Sequence, residues 1–182
     1  MVSNGIEMQP ELMKSAVVRV MGEEEPIHIS FDSVVAYHGQ AALAMLAITF
    51  QGLRATLSKL SPSRAPERSA ISVVSGHPGP GVRDAFEFVT RAVTRKAYTV
   101  DRSLRDARLN PKADISYSFR ITLNDQSVSA ALRPGVLPAR FFELNSIGAE
   151  RSAAEESEFS ALKRQIASEA LKASPESLFT LR

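Results

Sequence analysis

The chain has 182 residues, 44% of them hydrophobic, and a formal net charge of +2, which is the composition of a globular protein of about one domain. Cysteine is absent, so disulfides, thiolate metal ligands and cysteine nucleophiles are excluded, and a cytoplasmic location is expected. The apolar runs are too short to span a membrane, the start of the chain does not resemble a secretory signal, and the charge balance indicates neither a nucleic acid nor a membrane as partner.

Residues 1–25 allow two interpretations. Pro10 suits the first position of a helix that carries Leu12 and Met13, whereas the β-branched residues at 17, 18 and 20 favour a strand. Residues 31–60 follow the spacing of one long amphipathic helix, with Ser30 or Asp32 as its N-cap and Gly39 as a point where it bends or breaks. Residues 61–68, with two prolines, are predicted to be a loop.

The middle of the chain predicts alternating strands and one helix. Residues 70–75 are a short apolar, β-branched run typical of a buried strand, residues 80–95 have a helical stripe, and residues 96–102 favour a second strand. Residues 103–112 are predicted to be a polar loop. Apolar residues alternate through 114–123 and again through 128–132 around a turn at 124–126, so we expect an antiparallel hairpin.

The C-terminal part predicts two helices. The first covers residues 138–147 and ends at Gly148; the second begins with a capping box between Ser152 and Glu155 and ends near Pro175. Its narrow apolar stripe, which is suited to docking on the core or on a second copy of the chain, contains Phe159, Leu162, Ile166 and Ala170. We therefore expect a homodimer.

This order of elements predicts an α+β fold of the form α-β-α-β-β-β. Its mixed, mostly antiparallel sheet would be covered by helices on one face. Residues 1–148 would form the body of a single domain, and residues 149–182 a helical extension of it.

A glycine-rich loop joins the strand at 70–75 to the following helix. Its spacing, Gly-x-x-Gly-x-Gly, fits neither a dinucleotide-binding nor a Walker loop, and its two prolines remove backbone donors. The loop is either a rigid crossover or a ligand or metal site. The residues of the ligand-binding alternative are Gly76, His77, Gly79, Gly81 and Asp84.

The three histidines are the candidate chemical groups. His77 has Asp84 and Glu87 nearby in sequence, so it could be a metal ligand oriented by a carboxylate, or a general base. Asp84 could equally be an acidic residue that only interacts favourably with the helix dipole. His38, on an apolar helix face, and His28 are more typical of hydrogen-bonded structural residues. Residues 91–112 contain seven basic side chains but only one aromatic residue, Tyr98. A nucleic-acid surface usually combines basic with several aromatic side chains, so this segment favours a solvated surface.

Two segments resemble the FmdE-like domain family of formylmethanofuran dehydrogenase. FDSVVAYHGQAALAMLAITFQGLRATL (31–57) resembles its His-Gly-His-x-Cys-Pro-Gly motif: His38-Gly39 matches, Gln40 replaces the second His, Ala42 the Cys, and Leu43-Ala44 the Pro-Gly. VRDAFEFVTRAVTRKAYTVD (82–101) resembles a second motif in which a Cys precedes Val-Asp-Ala; Asp84-Ala85 matches and Gly81 takes the place of the Cys. The resemblance covers residues 30–134, and the zinc ribbon of some members is missing.

The resemblance implies a fold shared with the catalytic domain of glyceraldehyde-3-phosphate dehydrogenase, but no activity. It also implies that His38 and Asp84 carry over from a metal site whose cysteines are lost, with His77 as a replacement ligand close to His38 in one cleft. We expect a non-catalytic accessory domain that binds zinc, another divalent metal or a small-molecule ligand. The alternatives are an enzyme of unknown reaction that uses His77 with Asp84 or Glu87, and a structural or interaction protein that has lost its site.

Overall fold

A computed structural model describes residues 16–182, and the first element in this range is a small hairpin. Strands β1 (Val17–Met21) and β2 (Pro26–Ser30) pair antiparallel, with Val17 opposite Ser30. The strand interpretation of residues 17–20 is therefore confirmed. Pro10, Leu12 and Met13, on which the helix interpretation depended, lie outside the described residues.

Two helices follow where one was predicted. Helix α1 (Phe31–His38) begins at Ser30, whose hydroxyl accepts a 3.2 Å hydrogen bond from the Ser33 N–H, and helix α2 covers Leu43–Leu60. Gly39 ends α1 with a φ of +89°, a backbone conformation that glycine adopts without steric cost. The expectation of one continuous helix over 31–60 is therefore wrong, and residues 39–42 form a short linker between α1 and α2.

Strand β3 (Ile71–Ser75), helix α3 (Pro80–Thr90) and strand β4 (Tyr98–Val100) come next, after a short 3₁₀ turn at Arg68–Ala70. The prediction that α3 would extend to residue 95 is wrong, because Arg91 takes a left-handed conformation with a φ of 58°. Strand β4 is likewise shorter than the predicted 96–102, since Lys96 also has a positive φ.

The main sheet is mixed and mostly antiparallel, as predicted. Strands β5 (Ser118–Leu123) and β6 (Gln126–Leu132) form the expected hairpin, and the sheet order is β4-β3-β5-β6-β7, with β7 at Phe179–Leu181. Only the β3–β4 pair is parallel among these neighbours. The chain is therefore an α+β protein, although β5 begins four residues later than the predicted 114.

One face of the main sheet is covered by helices. Phe119, Ile121 and Ala130 are buried on that face against α2 and α3, while Arg120 in β5 is exposed on the other. Helix α2 lies at the centre of the core, where Phe50 is fully buried. In residues 16–182, no helix combines the length and the apolar character that crossing a bilayer requires.

The C-terminal part packs onto this core. Helices α4 (Ala139–Ile147), α5 (Ala153–Lys172) and α6 (Pro175–Leu178) precede β7, with a 3₁₀ turn at Gly148–Glu150. The capping box at the start of α5 is confirmed, since the Ser152 hydroxyl accepts from the Glu155 N–H at 3.2 Å and the Ser152 N–H donates to the Glu155 carboxylate at 2.8 Å.

The extension is not purely helical, because its last residues form strand β7. Phe179 lies opposite Leu132 of β6, so the end of the chain completes an edge of the main sheet. In α5, Phe159 and Ile166 are buried, and the helix packs against α2 and α4 of the same chain. The apolar stripe that suggested a homodimer is thus used within the chain, and the homodimer stays a prediction.

Candidate functional site

The structure joins His38 and Asp84, which lie 46 residues apart in sequence. His38 is the last residue of α1, Asp84 lies in the first part of α3, and His38 Nδ1 is 2.8 Å from Asp84 Oδ2. The side chains are 11% and 21% exposed. Arg83 donates to the other carboxylate oxygen at 3.2 Å. The pair is thus mostly shielded from solvent, but not sealed from it.

The hydrogen bond determines which ring nitrogen remains available. A carboxylate can only accept, so we assign the shared proton to Nδ1 of His38. In the neutral ring Nε2 is then the nitrogen with the free electron pair, the atom that binds a metal or accepts a proton. Carboxylate partners of this kind fix the orientation of histidine ligands and make them better donors.

Two very small residues lie beside this nitrogen. A Cβ added to the buried Gly81 would clash with the Cβ of Ala42, and it would lie 3.6 Å from His38 Nε2. Glycine at 81 and alanine at 42 therefore allow the first turn of α3 to approach the α1–α2 linker closely. These are the two positions at which the resemblance implies cysteines, and in this chain neither carries a donor atom in its side chain.

His77 is held within its own loop. Its Nδ1 accepts the Gly79 N–H at 2.9 Å, and its ring meets that of Tyr117 edge-on, with the centroids 5.0 Å apart. Burial lowers the pKa of His77 to about 4, so the neutral ring is the native form at neutral pH. The hydrogen bond joins His77 to its own loop, and a ligand shared with His38 stays a prediction.

The start of the glycine loop is also tightly packed. A Cβ on Gly76 would be 2.6 Å from the Cβ of Ser116, and the Gly76 N–H donates to the Ser118 carbonyl at 2.9 Å. Glycine at 76 is therefore required for the crossover to pass this segment. Of the two interpretations of the loop, this packing supports the rigid crossover for residues 76–79, whereas Gly81 and Asp84 belong to the His38 site.

The carboxylates expected to assist His77 have other partners. Asp84 binds His38, as described, and the buried Glu87 accepts from the Thr94 N–H at 3.0 Å and from the Thr94 hydroxyl. Burial acts to raise the pKa of Glu87, but the hydrogen bonds from Thr94 and Val93 outweigh it, and the pKa is lowered overall. Glu87 thus supports the turn that follows α3.

The metal ligands expected from sequence were His38 and His77. Within the described part of the chain, no group of three or more histidine or acidic side chains is placed to hold a metal ion. Zinc sites in proteins usually have at least three protein ligands. Residues 16–182 therefore do not form such a set, and a metal at His38 Nε2 would need most of its ligands from water or a bound molecule.

An aromatic pair that the sequence analysis missed adjoins the site. The rings of Tyr37 and Phe88 lie 5.2 Å apart, and Tyr37 is 53% exposed. Phe88 follows Asp84 by four residues on α3, so the two lie on the same face of that helix, and this spacing was the available signal. Tyr37 directly precedes His38 on α1.

No protein-family model matches this chain, and no curated protein matches it. The family resemblance therefore rests on the motif residues themselves.

Proposed function

We propose that this chain is a binding domain, without catalytic chemistry of its own, whose ligand contacts Nε2 of His38. The observation that carries the proposal is the 2.8 Å hydrogen bond between His38 Nδ1 and Asp84, which orients the ring and leaves Nε2 as its free nitrogen. The ligand is a small molecule that donates a hydrogen bond to Nε2, or a metal ion that brings its remaining ligands with it.

The surroundings of Nε2 favour a ligand over a purely structural imidazole. A structural histidine commonly uses both ring nitrogens in hydrogen bonds, whereas the described residues supply a partner for Nδ1 alone. The His38 side chain retains 11% exposure, so the ring is not sealed from a ligand in solution.

Catalysis is the weaker alternative. A histidine paired with a carboxylate can act as a general base, but covalent catalysis also needs a nucleophile beside it. Among residues 16–182 the His38 ring has Asp84 as its hydrogen-bond partner, and no serine or threonine hydroxyl is bonded to it, so a covalent mechanism lacks its nucleophile. Binding is therefore the function that this geometry supports best.

The test uses NMR and calorimetry on the full chain. Zn²⁺ is titrated first, followed by a set of small phenols, whose hydroxyl groups can donate a hydrogen bond to imidazole. We expect the amide signals of His38, Gly39 and Gly81 to shift in a saturable manner with one of the two classes. Asp84→Asn should weaken that binding by roughly 10–100-fold, the usual effect of losing an orienting partner.

The controls separate the site from the imidazole group in general. His38→Ala should abolish binding, while His28→Ala, which removes an exposed imidazole from β2, should leave it unchanged. If neither probe class shifts the signals around His38, or if His38→Ala binds like the unaltered chain, the proposal is wrong and the structural interpretation of the pair stands.

A further inference from the structure

A second cleft lies away from the His38 site, between β1, the C-terminal half of α2 and the loop that follows α2. Its volume is about 270 Å³. The polar part of its lining consists of three arginines and three serines: Arg19, Arg54, Arg64, Ser58, Ser61 and Ser63. Apolar side chains, among them those of Val18 and Leu57, form the rest of the wall.

The charge in this cleft has one sign. None of the residues that line it is acidic, and none of the three arginines forms an ion pair with another residue of the range 16–182. Other arginines of the chain do form such pairs, for example Arg140 with Glu158 at 2.7 Å. Three cations around one concave surface create a positive potential that attracts anions.

Hydrogen bonds hold Arg54 in place. Its guanidinium donates to the side-chain oxygen of Gln51 at 2.8 Å, and the buried Gln51 amide donates in turn to the Ala170 carbonyl at 2.6 Å. The Arg54 side chain is therefore already partly ordered in the free protein, so it loses less conformational entropy when a ligand binds.

The outer wall of the cleft is fixed as well. The Ser61 hydroxyl donates to the Arg64 carbonyl at 2.9 Å, and the Met21 N–H of β1 donates to the Pro66 carbonyl at 2.7 Å. The loop of residues 61–66 is thus tied to itself and to β1. The cleft is a preformed concavity rather than a gap beside a loose segment.

We propose that this cleft binds the phosphate ester of a small, partly apolar molecule. Guanidinium groups form paired hydrogen bonds with phosphate oxygens, and the hydroxyls of Ser58 and Ser63 can add further donors. Three positive charges match a dianionic phosphate better than a single carboxylate, while the valine and leucine side chains suit an apolar ester group. This site is independent of His38 and goes beyond the function proposed above.

The experiment is a titration of the full chain with phenyl phosphate, followed by NMR and calorimetry. Inorganic phosphate, phenol and benzoate serve as partial probes. We expect saturable binding that shifts the amide signals of β1 and of residues 61–66. Phenyl phosphate should bind more tightly than each partial probe, and the affinity should fall as the salt concentration rises.

Variants locate the binding. Arg19→Gln and Arg64→Gln should each weaken phenyl phosphate binding at least about tenfold, which corresponds to about 1.4 kcal/mol. Both side chains are exposed, so the variants should fold, and circular dichroism checks this. Arg164→Gln, which removes an exposed arginine from α5, and His38→Ala should both bind like the unaltered chain.

Three results would overturn the proposal. One is the lack of saturation with phenyl phosphate at millimolar concentration and low salt. Another is an equal loss of affinity in Arg164→Gln, which would indicate nonspecific attraction by the overall charge. The third is benzoate binding as tightly as phenyl phosphate, which would show that the cleft does not select a dianion.

Discussion

The partly buried imidazole of His77 should make the folded protein sensitive to acid. Burial lowers its pKa from 6.5 to about 4, and its Nδ1 accepts the Gly79 N–H at 2.9 Å. Protonation would remove the electron pair that accepts this hydrogen bond and would place a charge in a poorly solvated site. The native state therefore resists binding a proton that the unfolded chain accepts readily.

The size of the effect follows from the two pKa values. Between pH 6.5 and about 4 the unfolded chain binds a proton at His77 and the native chain does not, so the free energy of unfolding falls as the pH is lowered through this range. At about 1.4 kcal/mol per pH unit, the loss from this residue is about 3 kcal/mol. This loss of stability is complete below about pH 4 and absent above about pH 7.

Urea unfolding followed by circular dichroism at several pH values between 7 and 4 measures this loss. In His77→Gln the contribution should disappear, so the difference in stability between this variant and the unaltered chain should shrink or reverse as the pH falls. Tyr117→Phe is the matched control, because it keeps the ring that packs edge-on against the imidazole and should retain the acid-sensitive slope.

An NMR titration gives the pKa directly. The ring protons of His77 should show the neutral form at pH 5.5. If they titrate near pH 6.5, or if His77→Gln has the same pH dependence of stability as the unaltered chain, the argument that the site is desolvated is wrong.

The parts of the fold with strong local signals were predictable from the sequence. The β5–β6 hairpin has alternating apolar residues and a turn at Asn124, whose φ is 53°, and the start of α5 has a complete capping box. Strand β7 had no comparable signal. Its three residues are a strand because Phe179 and Leu181 pair with β6, and this depends on contacts that are distant in sequence.

The site was predicted only in part, for the same reason. The resemblance implied that both His38 and Asp84 carry over from one metal site, with His77 as a replacement ligand near His38. Proximity in sequence suggested that His77 and Asp84 would act together, but Asp84 binds His38 on α1 instead. Helix α3 packs against α1, and this contact between helices, which no local pattern encodes, selects the partner of Asp84.

Two substitutions test the packing beside His38 and the packing behind the arginine-lined cleft. Gly81→Ala should destabilise the protein by about 1–3 kcal/mol in urea unfolding, because its new Cβ would clash with that of Ala42, and Ala42→Gly in the same chain should recover part of the loss. Gln51→Ala should cost about 2–4 kcal/mol, because the buried amide of Gln51 donates to the carbonyl of Ala170 at 2.6 Å, and truncation leaves that carbonyl without its donor and opens a cavity between α2 and α5. Gln51→Ala also removes the hydrogen-bond acceptor that orders the Arg54 guanidinium, so the affinity for phenyl phosphate should fall together with stability. Gln165→Ala, which removes an exposed glutamine from α5, should change the free energy of unfolding by less than about 0.5 kcal/mol. If both glutamine variants are equally stable, the buried amide does not join α2 to α5 in the way that the hydrogen bond indicates.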